Sequence, residues 1–296
     1  MKFPAICGLA AVTVLSLAAC GDSSVRSPPG PEDIRDLTGL SAPSETGTAQ
    51  QQRQQQIAAR ADSLVVSTTH VDAMSTEGAH RFRILAECSG TRCELLNPVT
   101  GETETSSLDT VAATPGDAAE AIGSVHGITL ISESTRHTGL DGTLFGAWME
   151  HGAFALNTVR TIGEGIETNS VQAFALGDLA DRPLNGSATW LGIMVGTPVA
   201  GDAQGDRLVG TTALNYDLAV GRLDAAFSGI KNIDRGTAYP VEALIFANLA
   251  VEPDGTFSTG QSGARIQGGF HGPGHVEVSG IFEQSDVVGA FGATRQ

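Results

Sequence analysis

Two imidazoles and two thiols are the side chains whose spacing most invites chemistry. His271 and His275 flank a Gly-Pro-Gly turn, a placement from which two ring nitrogens can reach one metal ion or one haem iron. The spacing identifies no third ligand, and ordinary turn residues are the competing reading. Cys88 and Cys93 bracket Ser89-Gly90-Thr91-Arg92 between two strand-like runs, 81–87 and 94–97. A disulfide closing that hairpin is the expected chemistry, because neither a C-x-x-C redox motif nor a further pair of metal ligands accompanies them. Asp202 and Asp206 in a glycine-rich loop offer oxygens to Ca²⁺ but lack the D-x-D-x-D-G pattern, so a solvated hairpin tip is the alternative. Asp217, Asp224 and Glu277 would have to converge to act as an acid–base pair. Among 33 Asp and Glu, chance proximity is the default, and catalysis is the least favoured reading. The G-x-S-x-G elbow, H-E-x-x-H, P-loop and strand-to-helix G-x-G-x-x-G motifs are absent.

The N-terminus supplies an address. Lys2 precedes an uncharged apolar stretch, 5–19, which is shorter than the ~20 residues a membrane-spanning helix requires. It ends in Leu17-Ala18-Ala19-Cys20-Gly21, which resembles the bacterial lipobox. Residues 1–19 are therefore expected to be a lipoprotein signal peptide, and Cys20 the acylated (palmitate-type) first residue of the mature chain. The expected home is the outer membrane, lipid-anchored and at the cell surface, with the periplasmic face as the alternative. Export also places Cys88 and Cys93 where disulfides persist.

These features must be positioned by a chain of 296 residues with 37 Gly, 17% charged and only 5% aromatic residues, and a net charge of −16. The acidic balance argues against nucleic acid, whose phosphates require clustered cations. Residues 20–66, rich in Gln, Ser and Pro, read as a lipidated, flexible tether with a helix over 49–66. Residues 67–186 read as a β-rich handle domain, in which Thr114-Pro115-Gly116-Asp117 announces a short helix over 118–122. From 187 to 296, eight strand-like runs follow one another with hairpin-type connections: 187–196, 207–218, 222–230, 239–251, 256–260, 264–271, 276–283 and 286–294. The expected architecture is mainly β: an eight-stranded antiparallel up-and-down β-barrel preceded by the smaller handle. Gly192, Gly210, Gly268, Gly280 and Gly289 fall inside the runs and suit tight coiling. Two Trp and two Tyr cannot build the two aromatic girdles of a membrane-embedded barrel. Trp148, Trp190 and Met194 read as core packing.

The C-terminal run Ile266-Gln267-Gly268-Gly269-Phe270-His271-Gly272-Pro273, with Glu277, Gly280-Ile281-Phe282 and Gly289-Ala290-Phe291-Gly292-Ala293-Thr294-Arg295, resembles the closing strands of the transferrin-binding protein B-like surface lipoproteins. Trp190-Leu191-Gly192-Ile193-Met194-Val195-Gly196 is similar to the first strand of that barrel, and Gly146-Ala147-Trp148-Met149 to the preceding domain. The departures are His271 for the usual Tyr, Gly274-His275, Val278-Ser279 and Thr294 for a usual base. The resemblance implies a handle and barrel and a non-enzymatic, lipid-anchored binding protein. Its partner would be a host or environmental protein or a haem or iron-related ligand, bound through loops. No cofactor is implied, and no ligand-contact motif carries over by residue. The alternative is a structural or envelope-maintenance lipoprotein with the barrel as a spacer or assembly module.

Overall fold

The computed structural model describes residues 29–58, 64–75, 83–89, 92–96, 103–107, 119–137, 140–163, 166–183, 187–217, 219–261 and 263–296; within 64–107, 135–140 and 161–168 the description is of the backbone alone. Cys20 lies outside these residues. Helices α1 (Pro31–Thr38) and α2 (Gly47–Ala58) come first. The strands that follow are β1 (Leu64–Ser75), β2 (Arg83–Ser89), β3 (Arg92–Leu96), β4 (Thr103–Ser107), β5 (Glu120–Val125), β6 (Ile128–His137), β7 (Leu140–Trp148), β8 (Gly152–Gly163) and β9 (Ile166–Gly177). After them come β10 (Ala188–Pro198), β11 (Leu208–Asp217), β12 (Arg222–Asn232), β13 (Thr237–Ala238), β14 (Ala243–Ala250), β15 (Thr256–Gln261), β16 (Ala264–His271), β17 (Glu277–Gln284) and β18 (Val287–Arg295). Among the described residues no helix is long and apolar enough to cross a membrane.

The first nine strands form one antiparallel sheet in the order β4-β3-β2-β1-β9-β8-β7-β6-β5. The remainder form a second antiparallel sheet, β13-β12-β11-β10-β18-β17-β16-β15, with β14 beside β12. Because β10 pairs with both β11 and β18, the second sheet curls into a ring of the expected up-and-down kind. The ring is laddered at every junction but one. Between β14 and β15 the described residues show the bridge Val251↔Phe257 and the 2.8 Å bond from the Glu252 N–H to the Thr256 carbonyl but no ladder, so the wall carries a seam where full closure was expected. The expected run 239–251 is also cut back to β14, since Pro240 cannot donate to a ladder.

Alternation explains what fills the ring. Leu223, Ala225 and Phe227 on β12, Leu244, Phe246 and Leu249 on β14, and Trp190, Met194, Phe270, Phe282 and Phe291 all point inward and are buried together. Each such aromatic contributes roughly 1.5–3 kcal/mol by leaving water. The strand glycines are the sockets for these rings. Gly280 lies opposite Phe291 and Gly289 opposite Phe282 across β17–β18, and Gly268 opposite Phe257 across β15–β16. A Cβ at Gly280, Gly289 or Gly268 would come within 2.6, 2.3 or 2.6 Å of the facing ring. Phe227 then stacks on Phe282 with ring centroids 4.4 Å apart.

The outer face of β10, β17 and β18 is apolar too, and it packs on the handle sheet. Ile193, Val195, Ile281, Val288 and Ala290 share one buried cluster with Phe145, Phe154, Leu156, Ala173 and Ala175 of β7–β9. Gly292 makes the approach close enough: a Cβ there would meet the Phe154 ring at 2.3 Å. Gly292→Val should therefore overpack the interface and cost about 1–3 kcal/mol, read as a lower urea midpoint with an unchanged slope.

Two N-terminal expectations are corrected. Residues 31–58 were expected to be tether, yet both helices are docked on the handle. Ile34 of α1 is buried, Arg35 donates to the Ile122 carbonyl at 2.8 Å, and Ser41 exchanges two 3.0 Å backbone bonds with Ser124. The helix expected over 49–66 runs instead from Gly47 to Ala58, and Leu64 already begins β1. Its buried stripe is Gln50, Gln54 and Ile57. Gln50 Oε1 accepts the Trp148 N–H at 2.8 Å and Arg53 donates to the Trp148 carbonyl at 2.9 Å, so α2 side chains take the place of a neighbouring strand at the end of β7. The helix expected over 118–122 is likewise replaced, from Glu120 on, by β5, because pairing with β6 outweighs the local helical preference of its alanines.

Candidate functional site

Where the two sheets and the N-terminal segment meet, a cleft of about 470 Å³ opens, lined among others by Arg53, Met149, His151, Pro273, Val276 and Arg295. Five short pieces of chain build it: the stretch that carries α2, the β5–β6 turn, the β7–β8 turn, the loop between β16 and β17, and the end of β18. Arg53 is fixed by Glu45, whose Oε1 accepts from it at 2.6 Å. The guanidinium beside it holds the Glu45 carboxyl below the usual range. Arg295 donates to the Gly274 carbonyl at 2.8 Å and lies over the Trp190 ring, 5.9 Å from its centroid.

Glu277 closes the inner end of the cleft. Its two carboxylate oxygens accept the backbone N–H groups of Glu150 and His151, each at 2.9 Å, and so tie the barrel to the β7–β8 turn of the handle. Burial pushes the Glu277 carboxyl above its ordinary range, while the N–H groups of His151 and Glu150 pull it back. Two histidine rings complete the tie by filling space that glycine leaves open. A Cβ at Gly152 or Gly177 would meet the His271 ring at 2.8 or 2.7 Å, and one at Gly272 would meet the His151 ring at 2.4 Å.

The paired-ligand expectation for His271 and His275 meets a different geometry. His271 is fully buried against the handle, its Nδ1 3.2 Å from the Asp178 carbonyl and its Nε2 2.8 Å from Ser279 Oγ. A carbonyl only accepts, so Nδ1 carries the hydrogen and Nε2 accepts from the Ser279 hydroxyl. Burial, the dominant cause, and the nearby His151 push the imidazole down to about 4. His275 engages the Asp181 carbonyl at 2.5 Å and stands edge-on to Phe270, whose ring belongs to the barrel interior. The two rings therefore serve different faces of the wall, and each has its own protein partner. Among the described residues no group of three or more His, Cys, Asp or Glu is arranged to hold a metal ion.

The other candidates also find local partners. Asp206 accepts from Asn232 at 2.7 Å and pairs with Arg235, bracing loops on either side of β11 and β12. Asp217 caps the Ala219 N–H at 2.8 Å and Asp224 the Asn248 N–H at 2.7 Å, both on the exposed wall, whereas Glu277 faces the handle. No acid–base pair is formed by these three carboxylates. Cys88 and Cys93 stand directly opposite each other in the β2–β3 register, while their side chains lie outside the described residues. Peptide mapping without reductant is expected to recover a Cys88–Cys93 linked fragment; two alkylatable thiols would contradict the pairing.

Sequence reading passed over Glu277 as a junction residue, as well as His151, Arg53 and Ser279. A signal existed only for Glu277 and Ser279, whose positions on β17 alternate with the inward Val278 and Phe282 and so had to face something other than the barrel core.

With this geometry in hand, comparison with solved structures gives a consistent set of likenesses. The chain is similar to transferrin-binding protein B. A double mutant of that protein from Haemophilus parasuis Hp5 matches at 16% identity, over 77% of this chain and 45% of that one, with a TM-score of 0.40. The isotype 1 protein from serogroup B Neisseria meningitidis matches at 14% identity, over 78% and 44%, with a TM-score of 0.34. The N-lobe domain of lactoferrin binding protein B from Moraxella bovis matches at 11% identity, over 79% of this chain and 100% of that one, also at 0.34. The chain thus spans less than half the length of the two transferrin-binding proteins. No family model and no curated protein matches it.

Proposed function

We propose that this chain is a lipid-anchored bacterial surface lipoprotein that captures a protein ligand, without catalysis, through the junction cleft and the loops around it. One observation carries the reading. The barrel interior is filled by side chains, and Glu277 and His271 at the junction are engaged in holding handle to barrel, which leaves the outer concave surface and its loops as the available contact area. Residues 17–21 supply the anchor motif, and outward display at the outer membrane completes the proposal. A haem or iron-related ligand belongs to the same class of capture, but His271 and His275 do not support it, since both rings already have partners.

The test is retention of transferrin, haemoglobin or haem by the immobilised full-length protein, compared with its Val276→Asp variant. Val276 is 40% exposed on the cleft wall, so the change leaves the core untouched. Saturable retention of one ligand, weakened by the variant, is expected. Failure of every ligand, together with an envelope defect on deletion, would instead favour the spacer or assembly role.

A further inference from the structure

The handle sheet has two apolar faces, and α2 covers the second with a mismatched surface. Alternation along the strands turns Phe145, Phe154 and Leu156 toward the barrel and Leu144, Trp148, Phe174 and Leu176 the other way. The helix lies across that outer face, over β6, β7 and β8. Of the three residues it buries there, Gln50, Gln54 and Ile57, Ile57 alone joins the apolar cluster beneath. Two buried polar groups are left without a partner among the described residues, the Trp148 indole N–H and Gln54 Oε1. Each has given up water without a bond in return, a cost that ends as soon as water reaches it.

Much of the bonding that orders α2 lies within its own segment. Glu45 accepts from Arg53 at 2.6 and 2.8 Å and from Gln50 at 2.6 Å, and Thr46 Oγ1 accepts the Ala49 N–H at 3.2 Å. The hold on the handle runs through Gln50 and Arg53 to the backbone of one residue, Trp148, and through the packing of Ile57. Gln51 adds a bond to Glu133 that is long at 3.4 Å. Firm attachments stand on either side of the segment: the Ser44 N–H donates to Ser124 Oγ at 2.8 Å, and Leu64 pairs with Gly177. The helix can therefore leave the sheet without a strand being broken.

We infer that residues 45–58 form a strap that lifts from the handle face independently of both sheets, and that its lifting opens the junction cleft. Glu45 and Arg53 belong to the cleft wall and Trp148 lines it too. A raised strap takes the two charged side chains out of the wall and joins the cleft to the uncovered face around Trp148. Exposure of Trp148, Phe174 and Leu176 opposes lifting and keeps the docked form in the majority. The cleft is thus a gated opening, wider when the strap is up.

Two substitutions push the strap in opposite directions. A Cβ at Gly47 would meet the Ala119 carbonyl oxygen at 1.8 Å, so Gly47→Ala obstructs docking while favouring the helix itself. Gln54→Leu removes an unpartnered oxygen and adds apolar contact, so it favours docking. Hydrogen exchange of the full-length protein in detergent, at several urea concentrations below the unfolding transition, reads the strap directly. A helix of 12 residues is marginal alone in water, so its amides exchange when it lifts. Peptides from 47–58 are expected to exchange about 100-fold faster than those from β7–β9, with little dependence on urea. Gly47→Ala should speed that exchange about tenfold and Gln54→Leu slow it about tenfold, with β7–β9 unchanged. Acrylamide quenching of tryptophan emission should rise in Gly47→Ala, because Trp148 becomes accessible while Trp190 stays in the barrel. Exchange of 47–58 in step with β7–β9 and with the same urea dependence would overturn the inference, by making α2 part of the cooperative core. Faster exchange without added quenching would overturn it too, as fraying in place, and neither outcome turns on whether a ligand is captured.

Discussion

Folding stability should fall as the pH is lowered from about 6.5 to 4, and His271 should be the cause of that loss. The ring is fully buried with both nitrogens bonded, and its folded-state value lies near 4 against 6.5 for a free imidazole. The sign follows from which state takes the proton first. Between 6.5 and 4 the unfolded chain is protonated at this position while the folded chain is not, so acid pulls the equilibrium toward unfolding; below 4 both states carry the proton and the trend ends. The full effect is on the order of 3 kcal/mol, a large share of the stability of an ordinary domain. Glu277 runs the other way. Its carboxyl is raised by burial, so the folded state holds that proton more tightly, and acidification favours folding through this group. Wild type therefore reports a difference of two trends, and His271→Gln separates them. Glutamine keeps a donor and an acceptor but does not titrate. It should cost about 1–3 kcal/mol at pH 7.5 and lose the acid-dependent decline, leaving the two urea-unfolding curves to converge toward pH 4. Parallel curves would show that His271 is not the titrating group.

Replacing Cys20 by Ser should move the protein from the membrane fraction to the soluble fraction, with its leader uncleaved or cleaved elsewhere. Serine has no thiol to acylate, so the acyl chains expected to attach the mature chain are not added. Each buried CH₂ of an acyl chain contributes about 0.8 kcal/mol, and one short chain alone holds only marginally, so firm attachment requires the several chains a lipobox cysteine receives. Loss of that one residue should therefore shift partitioning almost completely. Membrane attachment that survives Cys20→Ser and extraction at high salt would remove the anchor from the account.

The barrel was legible in the sequence because its strands alternate: Leu223, Ala225 and Phe227 against Asp224, Ala226 and Ser228 can satisfy only a sheet with one buried face. The glycines inside the runs were legible as coiling devices, but their pairing with Phe257, Phe282 and Phe291 was not, since register is a property of two strands at once. The N-terminal segment was misread for a related reason. A Gln-rich stretch has little to bury, and it is the backbone of Trp148, nearly a hundred residues away, that gives Gln50 and Arg53 their partners on the handle. His271 illustrates the limit most clearly. Its spacing from His275 suggested a shared ligand, whereas a strand turns successive side chains to opposite faces, and His271 follows the inward Phe270 against which His275 packs. The seam could not be foreseen at all, because β14 and β15 each read as good strands, and only their failure to pair distinguishes the ring from a closed barrel.

The central claim, a binding body displayed outward on a lipid anchor, is tested most directly by adding protease to intact cells. Display predicts that the full-length chain is degraded while a periplasmic marker stays whole, and that Cys20→Ser removes the cell-bound, protease-sensitive pool. A chain that resists protease on intact cells and becomes sensitive only once the outer membrane is permeabilised would contradict outward display.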